Sequence, residues 1–166
     1  LDGTLLPMDQ DLFIKAYLGG LCKALAPKGY APETIGMALW KSTSAVMKND
    51  GSVTNEELFW HYFCSMLGEG IRDEKDLLTD YYAGEFQKVS QACGYTPRAK
   101  ELIDRLKTKG VMVVLATSPL FPTVATESRI RWAGLEPEDF EFYTTYEDYH
   151  FCKPNLGYYN EVLERA

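Results

Sequence analysis

Histidine is scarce in this sequence and cysteine never pairs. Two histidines and four cysteines occur among 166 residues, and Cys22, Cys64, Cys93 and Cys152 form no C-x-x-C motif. A zinc cage needs four N or S ligands at close spacing, so the composition argues against one. The cysteines read as free thiols of a reducing, cytoplasmic compartment. Long apolar runs are missing too: none approaches the ~18 residues of a membrane span. No leader pattern opens the chain, although a sequence that begins inside a motif leaves an earlier leader open. Basic charge is also in short supply. Seventeen Lys and Arg stand against 24 Asp and Glu, for a net charge of −7. Nucleic acid and anionic membranes reward a basic face, so neither is expected as the main partner. One small anion in a locally positive pocket remains compatible with that balance.

What is present is an ordinary globular composition, 46% hydrophobic and 25% charged. The length suits one domain, or a small core with an inserted subdomain. Residues 10–92 read as helical throughout. Leu12, Ala16, Leu21 and Leu25 fall near a 3.6 period, and Pro27 and Gly29 stop that helix. A second helix starts near Pro32 and carries Ile35, Leu39 and Val46. "NDGS" at 49–52 is a turn. Thr54 and Glu57 spell a capping box ahead of Leu58, Phe59, Tyr62, Phe63 and Met66. A fourth helix is expected over about 73–90.

The pattern changes at Gly94. Thr96 and Pro97 look like an N-cap and first helical residue, and Gly110 ends the helix they open. "VMVVLA" at 111–116 is apolar without alternation, the pattern of a strand covered on both faces. "FEFYTT" at 140–145 reads as a second short strand, with helices between and after the two. The alternation predicts an α/β fold: a doubly wound parallel-sheet core, incomplete here, formed by residues 1–9 and 94–166. An all-helical cap, 10–93, is inserted into it.

Three polar spots sit where strands are expected to end, which is where open α/β sheets bind ligands. They are "LDGT" (1–4), "ATS" (116–118) and "CKP" (152–154). Each alone has a plainer reading: Asp2 as a turn former, Thr117 and Ser118 as a helix cap, Lys153-Pro154 as a helix lead-in. Together they offer a carboxylate with a glycine turn, two hydroxyls and a lysine. A phosphate suits that set. The turn at Gly3 can aim backbone N–H groups at an oxygen, Thr117 and Ser118 can donate, and Lys153 can neutralise charge.

In this order the motifs resemble the haloacid dehalogenase superfamily of phosphohydrolases. "LDGTL" matches that family's D-x-D-G-T motif from its second position, "VVLATS" its strand-end Thr or Ser, and "KPNLGYYNEVLE" its lysine motif and the helix after it. The helical insert resembles a C1-type cap. The resemblance implies a Rossmann-like core and hydrolysis of a small phosphorylated metabolite through an aspartyl-phosphate intermediate, with Mg²⁺ as cofactor. It makes Asp2 the general acid/base and, through its carbonyl, a Mg²⁺ ligand. Gly3 supplies close backbone approach and Thr4 supports the turn. Thr117 binds the phosphoryl group, and Lys153 pairs with nucleophile and phosphate. The family's nucleophile falls immediately before Leu1, and its fourth, acidic motif falls after the last helix. The sequence is therefore expected to be an incomplete record of a longer protein, inactive as written. Phosphomutase, phosphonatase or dehalogenase chemistry, and a noncatalytic binding protein, stay open. A calcium loop at "LDGT" lacks the further acids it needs. Trp40, Met47, Trp60 and Phe63 are candidates for the cap's inner face or simply its core. His61 and His150 read as surface or structural groups. Substrate identity and oligomeric state are not encoded in any motif.

Overall fold

The computed structural model describes all of residues 1–166. Seven α-helices form, three of them capped by a side chain and two begun on a proline. Helix α1, Gln10–Leu25, is capped by Asp9, whose carboxylate accepts from the N–H groups of Asp11 and Leu12. It buries Phe13, Tyr17, Leu21 and Leu25, one residue per turn. Helix α2, Pro32–Val46, starts on a proline with φ already set for a helix. Helix α3, Asn55–Leu67, has the complete Thr54–Glu57 capping box. Helix α4, Lys75–Ala83, stops at Gly84, and residues 85–92 wind on as tighter 3₁₀ turns. The single helix expected over 73–90 is thus two pieces. Helices α5 (Pro97–Thr108), α6 (Thr123–Trp132) and α7 (Leu156–Arg165) complete the chain, the last capped by Asn155.

Two apolar cores result. The larger joins Phe13, Tyr17 and Leu21 of α1, Ile35 of α2, Phe63 of α3 and Phe86, and takes in Ala125 of α6. The smaller gathers Leu6, Ile103, Leu115, Ile130, Leu135 and Phe140. The chain passes between them beside Pro7 and Gly94, where the Gly94 N–H donates to the Pro7 carbonyl at 2.6 Å. Gln87 ties the two sides further. Its Nε2 donates to Ser128 Oγ at 2.9 Å, and its Oε1 accepts from Trp132 Nε1 at 3.1 Å.

The α/β expectation is overturned. Helices hold 63% of the residues and there is no sheet, so the fold is all-helical, without the doubly wound, Rossmann-like parallel layer. The two apolar segments do meet. Glu141 N donates to Val113 O at 2.8 Å, Leu115 N to Phe142 O at 3.0 Å and Thr144 N to Leu115 O at 3.2 Å. Only Leu115 and Tyr143 make a bridge, and it is isolated. A parallel ladder with one partner and so few bonds does not propagate into strands. The run 111–116 is also not covered on both faces: Val111 and Met112 are 48% and 51% exposed. Apolar periodicity reported a preference for burial, but no neighbouring strands stand there to provide it. No helix is long and apolar enough to cross a membrane.

One junction in the smaller core carries an electrostatic prediction. Asp139 ends the short 3₁₀ turn at 137–139, and its carboxylate meets Lys100 and Lys107 of α5, both at 3.1 Å. Burial pushes the carboxyl's pKa up. The Glu136 backbone N–H and the two lysines outweigh that and hold it below the ordinary carboxylate value. A depressed folded-state pKa contributes stability above the unfolded value and loses it as pH falls through the folded one. Acid melts are therefore expected to show a loss below about pH 4 that Asp139→Asn makes shallower. The same acid slope in Asp139→Asn would remove this contact from the account.

Candidate functional site

A cleft of about 960 Å³ opens beside the larger core. Asp2, Thr4, Thr117, Ser118 and Lys153 stand in its wall, brought together from three distant segments. Each is held by a different local device.

Asp2 leads a tight turn in which the Leu1 carbonyl accepts from the N–H groups of Thr4, Leu5 and Leu6. Gly3 adopts φ 70°, the left-handed region that favours glycine. Its N–H donates to Leu6 O at 2.9 Å. That N–H is consumed inside the turn, so Gly3 shapes the loop and does not itself offer a donor. The carboxylate of Asp2 is not free either. Its Oδ2 is ion-paired with Nη1 of Arg129, while Oδ1 is buried without a partner.

Arg129 is the residue that motif reading passed over. It lies on the buried face of α6, in line with Ala125 and Ala133, and is 1% exposed. Its Nε donates to Ala125 O at 3.2 Å and its Nη2 to Thr126 Oγ1 at 3.3 Å. The guanidinium carbon stands 4.2 Å from the centre of the Phe121 ring. Burial pushes the Arg129 pKa down, and Asp2 first among its neighbours pulls it back. Alanines at the i−4 and i+4 positions share its helix face, but they do not by themselves mark that face as buried.

Thr117 is pinned by its backbone. Its N–H donates to Thr144 Oγ1 at 3.0 Å, and its carbonyl accepts from the hydroxyls of Thr144 at 2.5 Å and Tyr158 at 2.8 Å. Lys153 sends Nζ to the Ala116 carbonyl at 2.6 Å, 5.6 Å from the Tyr158 ring centre. The ammonium is therefore anchored one residue before Thr117 by one of its three protons, which leaves two for a ligand. A cation held beside two hydroxyl side chains is chemically suited to accept an anion.

The opposite wall is aromatic and acidic. Trp60 and Phe63 line the cleft and also belong to the larger core. Trp40 lines it while 75% exposed; Met47 is exposed and outside it. Glu56, at the start of α3, faces Glu147 across this end. Burial raises the Glu56 pKa, and the Glu147 charge raises it further, with Lys75 opposing. Glu147 Oε1 accepts the Thr123 N–H at 2.8 Å, at the positive end of α6. Neither glutamate was singled out from sequence, because neither sits in a motif. His61 is exposed, and His150 pairs with Glu161 at 2.8 Å, apart from the cleft.

For Mg²⁺ the residues present are a poor fit. No three of His, Cys, Asp and Glu converge to hold a metal, and Asp2 has one oxygen committed to Arg129. Mg²⁺ commonly takes one or two protein carboxylates and completes its octahedron with water and phosphate oxygens; in this wall Asp2 offers only Oδ1, which is buried. No family model, curated protein or solved structure matches this chain.

Proposed function

We propose that the cleft binds the phosphoryl group of a small phosphomonoester, as part of a phosphohydrolase. Lys153, Thr117 and Ser118 hold the anion, and Asp2 lies in the same wall with its carboxylate committed to Arg129. One observation carries this reading: residues 2, 117–118 and 153 share one cleft wall although more than 30 residues separate each segment from the next. The order of these residues along the chain, which resembles the haloacid dehalogenase motifs, supports it further. No catalytic step is drawn through Mg²⁺, because the ligands for it are not in hand.

The test is a titration of the 166-residue chain with inorganic phosphate, followed by backbone amide shifts. Saturable shifts centred on Thr117, Ser118 and Lys153 are expected. Shifts that do not saturate, or that spread over the lysines of α5 instead, would remove the phosphate site.

A further inference from the structure

The first turn of α3 reaches across to both loops that carry the anion groups. Asn55 and Glu56 are its first two residues, and their backbone N–H groups donate to Tyr149 O and Tyr146 O, both at 2.8 Å. A helix start leaves such donors free, and here the segment 146–149 takes them up. The Asn55 side chain is fully buried. Its Nδ2 carries two protons and finds the Pro119 carbonyl at 3.3 Å and the Phe151 carbonyl at 3.4 Å. No other protein donor reaches either carbonyl. Pro119 directly follows Ser118, and Phe151 lies two residues before Lys153. One amide thus joins the two segments whose side chains share the anion. Its orientation is fixed from behind. Asn49 is buried and donates from Nδ2 to Asn55 Oδ1 at 2.9 Å and to Val53 O at 3.0 Å, while its own Oδ1 accepts the Gly51 N–H at 3.2 Å. With the Asn55 oxygen taken, its NH₂ faces the loops. Packing agrees independently. The Phe151 ring occupies the space that a Cβ at Gly51 would take, so the 49–52 turn is seated on a residue that Asn55 holds.

We infer that Asn55 is a positioning residue for the anion site, holding Ser118 and Lys153 at a fixed separation. The inference rests on the phosphate reading and adds to it a residue outside all three motifs. Asn55 does not line the cleft, so it acts through the groups that do. The other anchors serve other atoms. Thr144 and Tyr158 hold the backbone of Thr117, and the Ala116 carbonyl holds the tip of Lys153. The Pro119 turn and the backbone leading into Lys153 are left to Asn55. Tyr146 N also links the two loops, donating to Phe121 O at 3.1 Å, but from positions farther from Ser118 and Lys153. An anion is held well only when its donors stand at hydrogen-bond distance together. Loss of the bridge leaves two buried carbonyls unmet and lets the loops settle apart.

Inorganic phosphate is the probe, titrated by calorimetry into the 166-residue chain and its variants under conditions where each is folded. Asn55→Ala deletes the bridge and should weaken phosphate binding about tenfold. Without ligand, its amide shifts should move at Ser118 and Lys153. Ser42→Ala supplies the comparison for a merely structural loss. Ser42 is fully buried, donates to Ala38 O at 2.8 Å and stands outside the cleft. That variant should keep phosphate affinity within about twofold of the unsubstituted chain. Asn49→Ala leaves Asn55 in place but frees its amide to turn, and should weaken binding about threefold. It decides alone if Asn55→Ala does not fold. Unchanged affinity in Asn55→Ala, or in Asn49→Ala where only that variant folds, overturns this inference, and so does an equal loss in Ser42→Ala. Absence of phosphate binding by the unsubstituted chain overturns the phosphate reading beneath it instead.

Discussion

Asp2→Asn is expected to lower the free energy of unfolding by ~3–5 kcal/mol, measured by urea denaturation at neutral pH. The cost arises at its partner. Arg129 is 1% exposed on the buried face of α6, and the Asp2 carboxylate is its only ion-pair partner. Its other protein contacts are the Ala125 carbonyl, the Thr126 hydroxyl and the face of Phe121. Asparagine preserves shape and withdraws the charge, leaving a desolvated cation that neutral dipoles compensate only in part. Arg129→Met should cost less than Asp2→Asn. The Asp2 side chain is 25% exposed, so its abandoned charge is partly solvated, and methionine fills the space beside Phe121. The double variant should be more stable than the sum of the two losses, since removing both members of a buried pair is often nearly neutral. A loss under about 1 kcal/mol for Asp2→Asn would show that the pair behaves as a surface contact, and would contradict the burial of Arg129.

Lys153→Ala should weaken inorganic phosphate binding by roughly 10- to 100-fold, the loss of one charge-assisted contact of about 1.5–3 kcal/mol. Lys153 is the one lysine or arginine side chain in this wall, beside Asp2, Thr4, Thr117 and Ser118. The Ala116 carbonyl that now takes the ammonium at 2.6 Å would also lose its partner and point its own negative end toward the ligand. Lys153→Arg should recover part of the affinity only. A planar fork cannot keep the Ala116 bond and still direct the remaining donors as a compact ammonium does. In a longer protein with turnover, the same substitution should lower the rate on an aryl phosphate by about 10²–10³. Unchanged phosphate affinity in Lys153→Ala would take Lys153 out of the site and separate "CKP" from the other two motifs.

Local chemistry along the chain was enough to place most helix starts, though not the break at Gly84. Asp9, Pro32, the Thr54–Glu57 pair, Pro97 and Asn155 each satisfy or remove N–H groups that a helix start leaves free, and each stands where a helix begins. Of the expected α1 stripe Leu21 and Leu25 are buried, whereas Leu12 and Ala16 are exposed and Phe13 and Tyr17 take the inward positions one residue on, because the face a helix buries is set by what packs against it. The polar residues of the cleft were legible from local chemistry. Asp2, Thr117, Ser118 and Lys153 lie in short turns with recognisable chemistry, and they do line one cleft.

What depended on contacts between distant segments could not be read this way. "VMVVLA" has the composition of a buried strand, yet a strand exists only when a neighbour accepts its hydrogen bonds. Here residues 141–144 meet it at a few atoms, and Val111 and Met112 stay open to solvent. Arg129 looks in sequence like any surface charge of a helix. Only the packing of α6 turns it inward, onto a carboxylate 127 positions away. Likewise Asn55 meets Pro119 and Phe151, both far along the chain from it. Periodicity and capping are local energies that a segment carries with it. Strand pairing, ion pairing and bridging hydrogen bonds belong to the juxtaposition of segments, and only the folded chain decides those.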